Sequence, residues 1–253
     1  PLDLIERFGA DGVRMGMMLC APAGNDILFD DSLCEQGRNF CNKIWNCFRL
    51  IKGWEVADNE MPATNQWGVE WFKAVLAKTQ EEVADLFSKY RLSEALMAIY
   101  KLYCDEFSGW YLEIIKPAYG QPIDRATYEK TIQFMDTMLK LLHPFMPFIT
   151  EELWQAIEER QEGESLMVSP LNAEQTLDKA AQLLENATQC FDIISAIRNI
   201  RAQKNISPKE VLTLVAPSEL PAVVTKLANV ELAVGAEKSA GSASFIVGTT
   251  EYS

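Results

Sequence analysis

The segment DSLCEQGRNFCNKIWNCFRLIKG, residues 31–53, decides the fold because its apolar and polar side chains fall on opposite sides of a helix. With about 100° between successive residues, one arc collects the apolar side chains Leu33, Phe40, Ile44, Cys47, Phe48 and Ile51. A helix of this kind buries its apolar arc against neighbouring elements. The segment therefore predicts one member of a helical bundle.

The opposite arc of this helix is polar and basic. Asparagine is a poor helix former, yet its amide, like Lys and Arg, binds phosphates and the edges of unstacked bases. Residues 31–52 carry a net charge of +2, whereas the whole chain carries −13. Two interpretations follow: an RNA-binding face, or an ordinary solvated face with a few ion pairs. The candidate binding residues are Arg38, Asn39, Asn42, Lys43, Asn46 and Arg49, with Leu50 projecting from the same arc.

Helical patterns also dominate the rest of the chain. Two short helices are predicted in residues 2–20, broken at Gly9, with Asp11 capping the second. A helix after Pro147 should take Thr150 as its N-cap. Other helices are predicted near 66–90, 92–116, 124–143 and 178–203. Strand-like runs at 211–216, 230–234 and 244–248 surround a helical stretch near 219–228. The sequence thus predicts a mainly α protein, an antiparallel helical bundle with a small C-terminal α/β subdomain.

Composition excludes several classes of function. No run approaches the roughly 18 apolar residues of a membrane span, and mean hydropathy is −0.06. A single histidine, His143, excludes multi-histidine metal sites, and the sequence has no Gly-x-Ser-x-Gly elbow for a catalytic triad. The six cysteines contain no Cys-x-x-Cys pair, which favours buried thiols in a reducing cytoplasm. The chain begins at Pro1 without methionine, so we expect it to be a piece of a longer protein.

A second basic cluster lies near residue 200. The apolar stripe through Phe191 and Ile194 continues at helical spacing into Arg198 and Arg201, with Lys204 beyond them. All three basic residues are candidates for RNA binding. The alternative is that the two arginines bridge the bundle to the α/β subdomain, and the fact that they extend a core stripe favours this structural role.

Four segments resemble class I aminoacyl-tRNA synthetases. Residues 1–14, PLDLIERFGADGVR, resemble the stretch that follows the Lys-Met-Ser-Lys-Ser loop, and residues 142–154, LHPFMPFITEELW, resemble the anticodon-domain signature of the valyl, isoleucyl and leucyl enzymes. Residues 38–46, RNFCNKIWN, and 197–208, IRNIRAQKNISP, are similar to the valyl enzymes in particular. The isoleucyl pattern would read closer to Arg-Asn-Thr-x-Arg-Phe in the first of these two segments.

The resemblance implies a tRNA anticodon-binding portion of a valyl-type ligase. Residues 1–30 would be a remnant of the segment following the catalytic domain, 31–210 the helical anticodon-binding domain, and 211–253 the small subdomain that precedes a missing C-terminal coiled coil. The implied partners are valine tRNA, through its anticodon stem-loop, and the catalytic and editing domains of the same parent chain, with no membrane. Two alternatives remain: the corresponding isoleucyl domain, and a helical protein-interaction scaffold without an RNA role.

Two family motifs are missing from the sequence. It contains neither a His-Ile-Gly-His-like segment nor a Lys-Met-Ser-Lys-Ser loop, which in the family bind ATP and the adenylate-forming transition state. We therefore expect no catalytic residue, no metal and no cofactor in this fragment, although the parent uses ATP with Mg²⁺.

Overall fold

The computed structural model describes residues 2–21, 29–174, 179–238 and 241–253, and helices dominate these ranges. The α-helices are α1 (Leu2–Phe8), α2 (Ala10–Cys20), α3 (Asp31–Lys52), α4 (Ala63–Ser88), α5 (Leu92–Lys101), α6 (Leu112–Ile115), α7 (Arg125–Leu142), α8 (Pro147–Ile157), α9 (Ala180–Lys204) and α10 (Ala222–Ala228). A π-helix, Leu102–Tyr111, joins α5 to α6, and a 3₁₀ turn covers Leu166–Val168. The strands are β1 (Val56–Ala57), β2 (Ile123–Asp124), β3 (Leu212–Ala216), β4 (Val230–Val234), β5 (Phe245–Val247) and β6 (Thr250–Tyr252). The mainly α prediction is confirmed.

Helix α3 forms as its amphipathic pattern predicts. The Asp30 carboxylate accepts a hydrogen bond from the Ser32 backbone N–H at 2.8 Å. Hydrogen bonds from the Ser32 side chain and, to a smaller extent, from its backbone N–H hold the pKa of Asp30 below its usual value. Its buried side differs slightly from the predicted arc: Leu33 and Phe48 are only partly buried, whereas Cys34 and Gly37 are buried. The cause is the close approach of α2 along that edge of the helix.

Helices α2 and α3 touch through glycines. A Cβ atom added at Gly37 would lie 2.6 Å from the carbonyl oxygen of Gly12, and one added at Gly16 would lie 2.5 Å from the Cys34 sulfur. Only residues without a side chain allow the two backbones to come so close. The N-terminal segment therefore packs directly on the bundle.

The core of the bundle is a cluster of buried aromatic rings between α4, the π-helix and α7. The ring of Phe72 lies 4.8 Å from that of Tyr111, 5.3 Å from Phe107 and 5.1 Å from Phe134, measured between centroids. The Tyr111 hydroxyl, buried with them, is 2.8 Å from the Thr131 hydroxyl. This polar group in the core therefore has a hydrogen-bond partner, whereas the buried hydroxyl of Tyr103 in the same cluster has none among the described residues.

The helix predicted over 92–116 is not a continuous α-helix. Its central ten residues, Leu102–Tyr111, form a π-helix, in which each turn holds more residues than an α-helical turn. Apolar periodicity does not reveal this change, because the buried residues still fall on one side. The residues that follow Tyr111 are rotated relative to a continuous α-helix.

Both capping residues predicted from the sequence, Asp11 and Thr150, are wrong. Asp11 lies inside the first turn of α2 and caps α8 instead, since its carboxylate accepts hydrogen bonds from the backbone N–H groups of Phe148 (3.3 Å) and Ile149 (2.7 Å). Thr150 lies within α8, and its hydroxyl donates back to the carbonyl of Met146 at 2.7 Å. A carboxylate supplied from a distant helix thus performs the role expected of a local hydroxyl.

The large apolar side chains of the segment 142–154 pack in the core, with the exception of Phe148. Trp154 is 4% exposed, and its indole N–H donates to the Asp136 carboxylate at 2.7 Å. The His143 ring nitrogen Nδ1 lies 2.7 Å from the Thr150 hydroxyl. Phe148 is 64% exposed, because the cap places it at the outer side of the first turn of α8.

The C-terminal subdomain is α/β, as predicted. Strands β3 and β4 are parallel and joined by α10, whereas β5 and β6 form an antiparallel hairpin. Strand β6 was not predicted. It brings the chain end back to β3, where Val215 N–H donates to the Ser253 carbonyl at 2.7 Å. Of the helix predicted near 178–203, residue 178 lies outside the described residues, and α9 covers Ala180–Lys204.

Candidate nucleic-acid interface

The polar arc of α3 faces outward, as its pattern predicts. Asn39, Asn42 and Asn46 are exposed, and none of their side chains has a hydrogen-bond partner in the part of the chain that the structure describes. Arg49 is exposed and, within the same ranges, likewise has no partner. These amide and guanidinium groups are available to a ligand.

Lys43 differs from the other members of this arc. It is partly buried, and its Nζ donates to the carbonyl oxygen of Cys104 in the π-helix at 3.4 Å. The long bond holds the ammonium group at the edge of α3 that faces the π-helix. Leu50 lies at the same edge and is 38% exposed. The arc therefore continues into a groove between two helices.

This groove, called here the central groove, has a volume of about 540 Å³. One wall is the arc of α3, and the other consists of the end of the π-helix and α6. Its charged side chains are Lys43, Lys116 and Glu113, so it is slightly basic in an acidic chain. It is lined by Asn39, Asn42, Lys43, Asn46, Cys47, Leu50, Ser108, Leu112, Glu113 and Lys116.

Two further grooves adjoin the central groove. One, of about 320 Å³, shares Asn39 and Lys43 with it and extends along α3 towards Ser32. The other, of about 680 Å³, shares Glu113 with it and is lined by the C-terminal ends of α9 and α10. The three grooves therefore adjoin one another through shared lining residues, and they are together called the furrow here.

Arg198 and Arg201 line the third groove, but both are engaged within the chain. Arg198 forms an ion pair with Glu113 at 2.5 Å and donates to the Leu227 carbonyl at 3.0 Å. Arg201 is 5% exposed and donates to three carbonyls, those of Ser207, Ala228 and Asn229, at 2.9–3.1 Å. Both arginines thus attach the α/β subdomain to α9, the structural alternative considered above. Of the two, only Arg198 reaches the surface of the furrow.

The remaining two candidates lie elsewhere. Arg38 sits on the other edge of α3, where it pairs with Glu35 at 3.1 Å and lies over the Phe8 ring at 5.8 Å. Lys204 is exposed and lines a separate pocket between α9 and the C-terminal strands. The structure therefore brings together Asn39, Asn42, Lys43, Asn46 and Leu50, with Arg49 beside them, and separates Arg38 and Lys204 from them.

The thiols near the groove are not nucleophiles. Burial raises the pKa of Cys47 and Cys104, and raises that of Cys41 to about 12, so all three are protonated at neutral pH. All six cysteines are free thiols. The groove can therefore bind a ligand through hydrogen bonds and charge, but it supplies no reactive sulfur.

Sequence reasoning missed the second wall of the central groove. Ser108, Leu112, Glu113 and Lys116 lie in a stretch read as an ordinary helix. The direction in which these side chains point depends on the π-helix, and the sequence pattern does not indicate a π-helix. Only the charged pair Glu113 and Lys116, in an otherwise apolar run, marks this end as exposed to solvent.

No helix in the ranges that the structure describes has the length and hydropathy of a membrane-spanning segment. Among the described residues there is also no cluster of three or more His, Cys, Asp or Glu side chains that could hold a metal ion.

Comparison with known proteins identifies relatives of the whole chain. The sequence is 62% identical to a valine--tRNA ligase of Phocaeicola vulgatus, 59% identical to that of Bacteroides thetaiotaomicron and 58% identical to that of Parabacteroides distasonis, each match covering 100% of this chain. The chain spans only 29–30% of the length of these relatives. Among solved structures, the LeuRS of a LeuRS–tRNA–LeuAMS complex from Agrobacterium radiobacter K84 matches 73% of this chain and 21% of that chain, with 18% identity and a TM-score of 0.45, too low to support an argument.

The family model of the anticodon-binding domain of tRNA ligases matches residues 69–216. This range runs from within α4 to the end of β3. It includes the π-helix, α6 and α9, which form one side of the central groove and of the groove at the ends of α9 and α10, whereas α3 and α10 lie outside it. The resemblance to valyl-type enzymes expected from the sequence is confirmed by the relatives. The chain belongs to the family of tRNA-ligase anticodon-binding domains, and the relatives named above are valine--tRNA ligases.

Proposed function

We propose that this chain binds the anticodon stem-loop of valine tRNA and positions that tRNA for ATP-dependent aminoacylation by the catalytic domain of a longer valine--tRNA ligase. The observation that carries the proposal is the central groove. It presents three unpartnered asparagine amides beside Lys43 in a chain whose family binds anticodons. The partners proposed are valine tRNA and the catalytic and editing domains of the parent chain, in the cytoplasm.

The groove suits single-stranded loop nucleotides. Bases in a loop are unstacked, so their edges are free to pair with amide side chains, and an adenine edge matches an asparagine amide. Valine anticodons share a middle A and a third C. Leu50 offers an apolar surface for a base, while Lys43, Arg49 and Lys116 offer charge for the phosphates.

ATP chemistry belongs to the catalytic domain in this proposal. Nucleotide phosphates are usually bound by glycine-rich turns that follow a strand and open a helix. In the β3–α10–β4 unit the corresponding turn is Pro217-Ser-Glu-Leu-Pro221, which has no glycine and carries an acidic residue. The turn does not fit a nucleotide, so we assign no ATP or Mg²⁺ step to this chain and expect no valine-dependent ATP–pyrophosphate exchange from it.

A titration of the chain with valine tRNA and with isoleucine tRNA, at several salt concentrations, tests the proposal. With three cations beside the furrow, log K should fall against log salt with a slope of about −2, from roughly −0.7 per single-strand phosphate contact. Valine tRNA should bind more tightly. Equal binding of both tRNAs would contradict the valine assignment, tighter isoleucine binding would favour the isoleucyl alternative, and absence of binding at low salt would favour a protein scaffold.

A further inference from the structure

A carboxylate stands where the proposed interface would be expected to be free of negative charge. Glu113, on α6, lines both the central groove and the groove beneath α9 and α10. It is the only acidic residue among the described residues of the central groove. A carboxylate in a groove for a polyanion weakens binding through like-charge repulsion, unless it contacts a hydrogen-bond donor of the ligand.

Glu113 is held in one orientation by Arg198. The guanidinium contacts both carboxylate oxygens, Nη2 to Oε1 at 2.5 Å and Nη1 to Oε2 at 3.3 Å. Arg198 is itself fixed by the Leu227 carbonyl at 3.0 Å and lies over the ring of Trp110 at 5.8 Å. The fork neutralises much of the local negative charge and leaves the carboxylate with a defined direction.

The carboxylate also keeps hydrogen-bonding capacity. An ionised carboxylate has about four acceptor positions, and the Arg198 fork occupies two of them. The Glu113 side chain is 41% exposed, so solvent or a ligand in the furrow reaches the remaining ones. Because an ionised carboxylate can only accept hydrogen bonds, Glu113 favours a ligand group that donates a hydrogen bond and disfavours one that accepts.

We propose that Glu113 is a specificity-determining residue that accepts a hydrogen bond from the exocyclic N4 amino group of cytosine, the third base of the valine anticodon. This inference rests on the proposed function. Cytosine presents an amino donor at that edge, whereas uracil presents the O4 acceptor, which a carboxylate repels. Isoleucine anticodons share the middle A but carry U in third place, so the same carboxylate separates the two tRNAs.

The test compares two valine tRNA transcripts that differ only in the third anticodon base, C or U, and measures their dissociation constants for the chain. The wild-type chain should prefer the C transcript by about 10- to 100-fold. Glu113→Gln should reduce this preference to within about threefold, mainly by improving binding of the U transcript, because a carboxamide offers a donor as well as an acceptor.

A matched control uses Glu106→Gln. Glu106 is partly buried on the neighbouring π-helix, but it lines a different groove with Lys78 and Trp110, between α4, α5 and α9. Its substitution should leave the preference for C unchanged. Thermal unfolding of both variants identifies any loss of folded protein.

A third transcript needs no change in the protein. It carries 2-pyrimidinone, cytosine without its amino group, as the third anticodon base. The wild-type chain should bind it about tenfold more weakly than the C transcript, and Glu113→Gln should show a clearly smaller loss.

The outcomes separate the two proposals. If the wild-type chain binds no tRNA, the proposed function fails. If it binds tRNA but Glu113→Gln keeps the full preference for C, or if the wild-type chain binds the C and 2-pyrimidinone transcripts equally, Glu113 does not read the base and this inference is wrong.

Discussion

Replacement of Gly16 by alanine tests the close contact between α2 and α3. The added Cβ would lie 2.5 Å from the Cys34 sulfur, 2.7 Å from the Cys34 backbone N and 2.8 Å from the Cys34 Cα, whereas normal contacts begin near 3.5 Å. Rotation of the Cys34 side chain relieves only the contact with the sulfur. To relieve the two backbone contacts, the helices must separate by about 0.8 Å, the difference between 3.5 and 2.7 Å.

The expected cost follows from this displacement. Overpacking costs about 1–3 kcal/mol, and we expect the upper half of this range, about 2–3 kcal/mol, because the contacts include backbone atoms of Cys34. The better helix propensity of alanine recovers about 1 kcal/mol. The net loss of about 1–2 kcal/mol should lower Tm by roughly 2–8 °C in a chain of this size. Urea melts monitored by circular dichroism should show a lower midpoint with an unchanged m-value.

Gly12→Ala provides a graded control in the same helix. Its added Cβ would lie 3.1 Å from the backbone N of Arg38 and the carbonyl oxygen of Cys34, so a shift of a few tenths of an ångström suffices. Gly12→Ala should therefore be milder than Gly16→Ala. The reasoning is refuted if Gly16→Ala raises Tm, since that result would show only the propensity gain and no steric contact.

Three further predictions follow from the interface and the core. Replacing both Lys43 and Arg49 by alanine should change Tm by no more than about 2 °C, because exposed or weakly bonded charges contribute little to stability. The same double variant should bind tRNA more weakly in a filter-binding assay. Unchanged binding would show that this face of α3 is merely solvated. Trp154→Ala should lower the free energy of unfolding by about 3–5 kcal/mol in urea melts, because it removes an indole that is only 4% exposed. A loss below about 1 kcal/mol would contradict the burial of this side chain. Burial lowers the pKa of His143 in the folded chain below its ordinary value of 6.5. As the pH falls, the imidazole of the unfolded chain is therefore protonated before that of the folded chain. The free energy of unfolding consequently decreases as the pH drops from 6.5 towards the folded-state pKa. Because His143 is the only histidine, His143→Gln should flatten the dependence of Tm on pH in this window; an unchanged slope would refute the assignment.

Sequence patterns predicted correctly those elements whose determinants all lie within one segment of the chain. Helix α3 was predictable because its N-cap, its apolar arc and the terminating Gly53 all lie within one segment. The outward facing of Asn42 and Asn46 follows from the same arc. Within one α-helix, the spacing of residues along the sequence determines the direction in which each side chain points.

Contacts between distant segments were not predictable. The cap of α8 comes from Asp11, 138 residues before Ile149, and no spacing rule connects them. The core stripe favoured a structural role for Arg198 and Arg201, but it did not identify their acceptors, which are carbonyl groups at the end of α10. Glu113 could be placed in the groove only once the π-helix was known.

The π-helix makes the length of the chain before α6 critical for the interface. If residues 102–111 kept their number but took α-helical hydrogen bonds, each turn would hold fewer residues, and the helix beyond Tyr111 would be rotated about its axis. Such a change would preserve the composition and helical content of the segment, yet it would turn Glu113 and Lys116 away from their present side of the helix. A chain with one residue fewer here would offset part of this rotation by continuing the α-helix. Relatives that differ by one residue here should therefore be aligned with a gap inside the π-helix, and their groove-lining residues should be compared only after that gap has been placed.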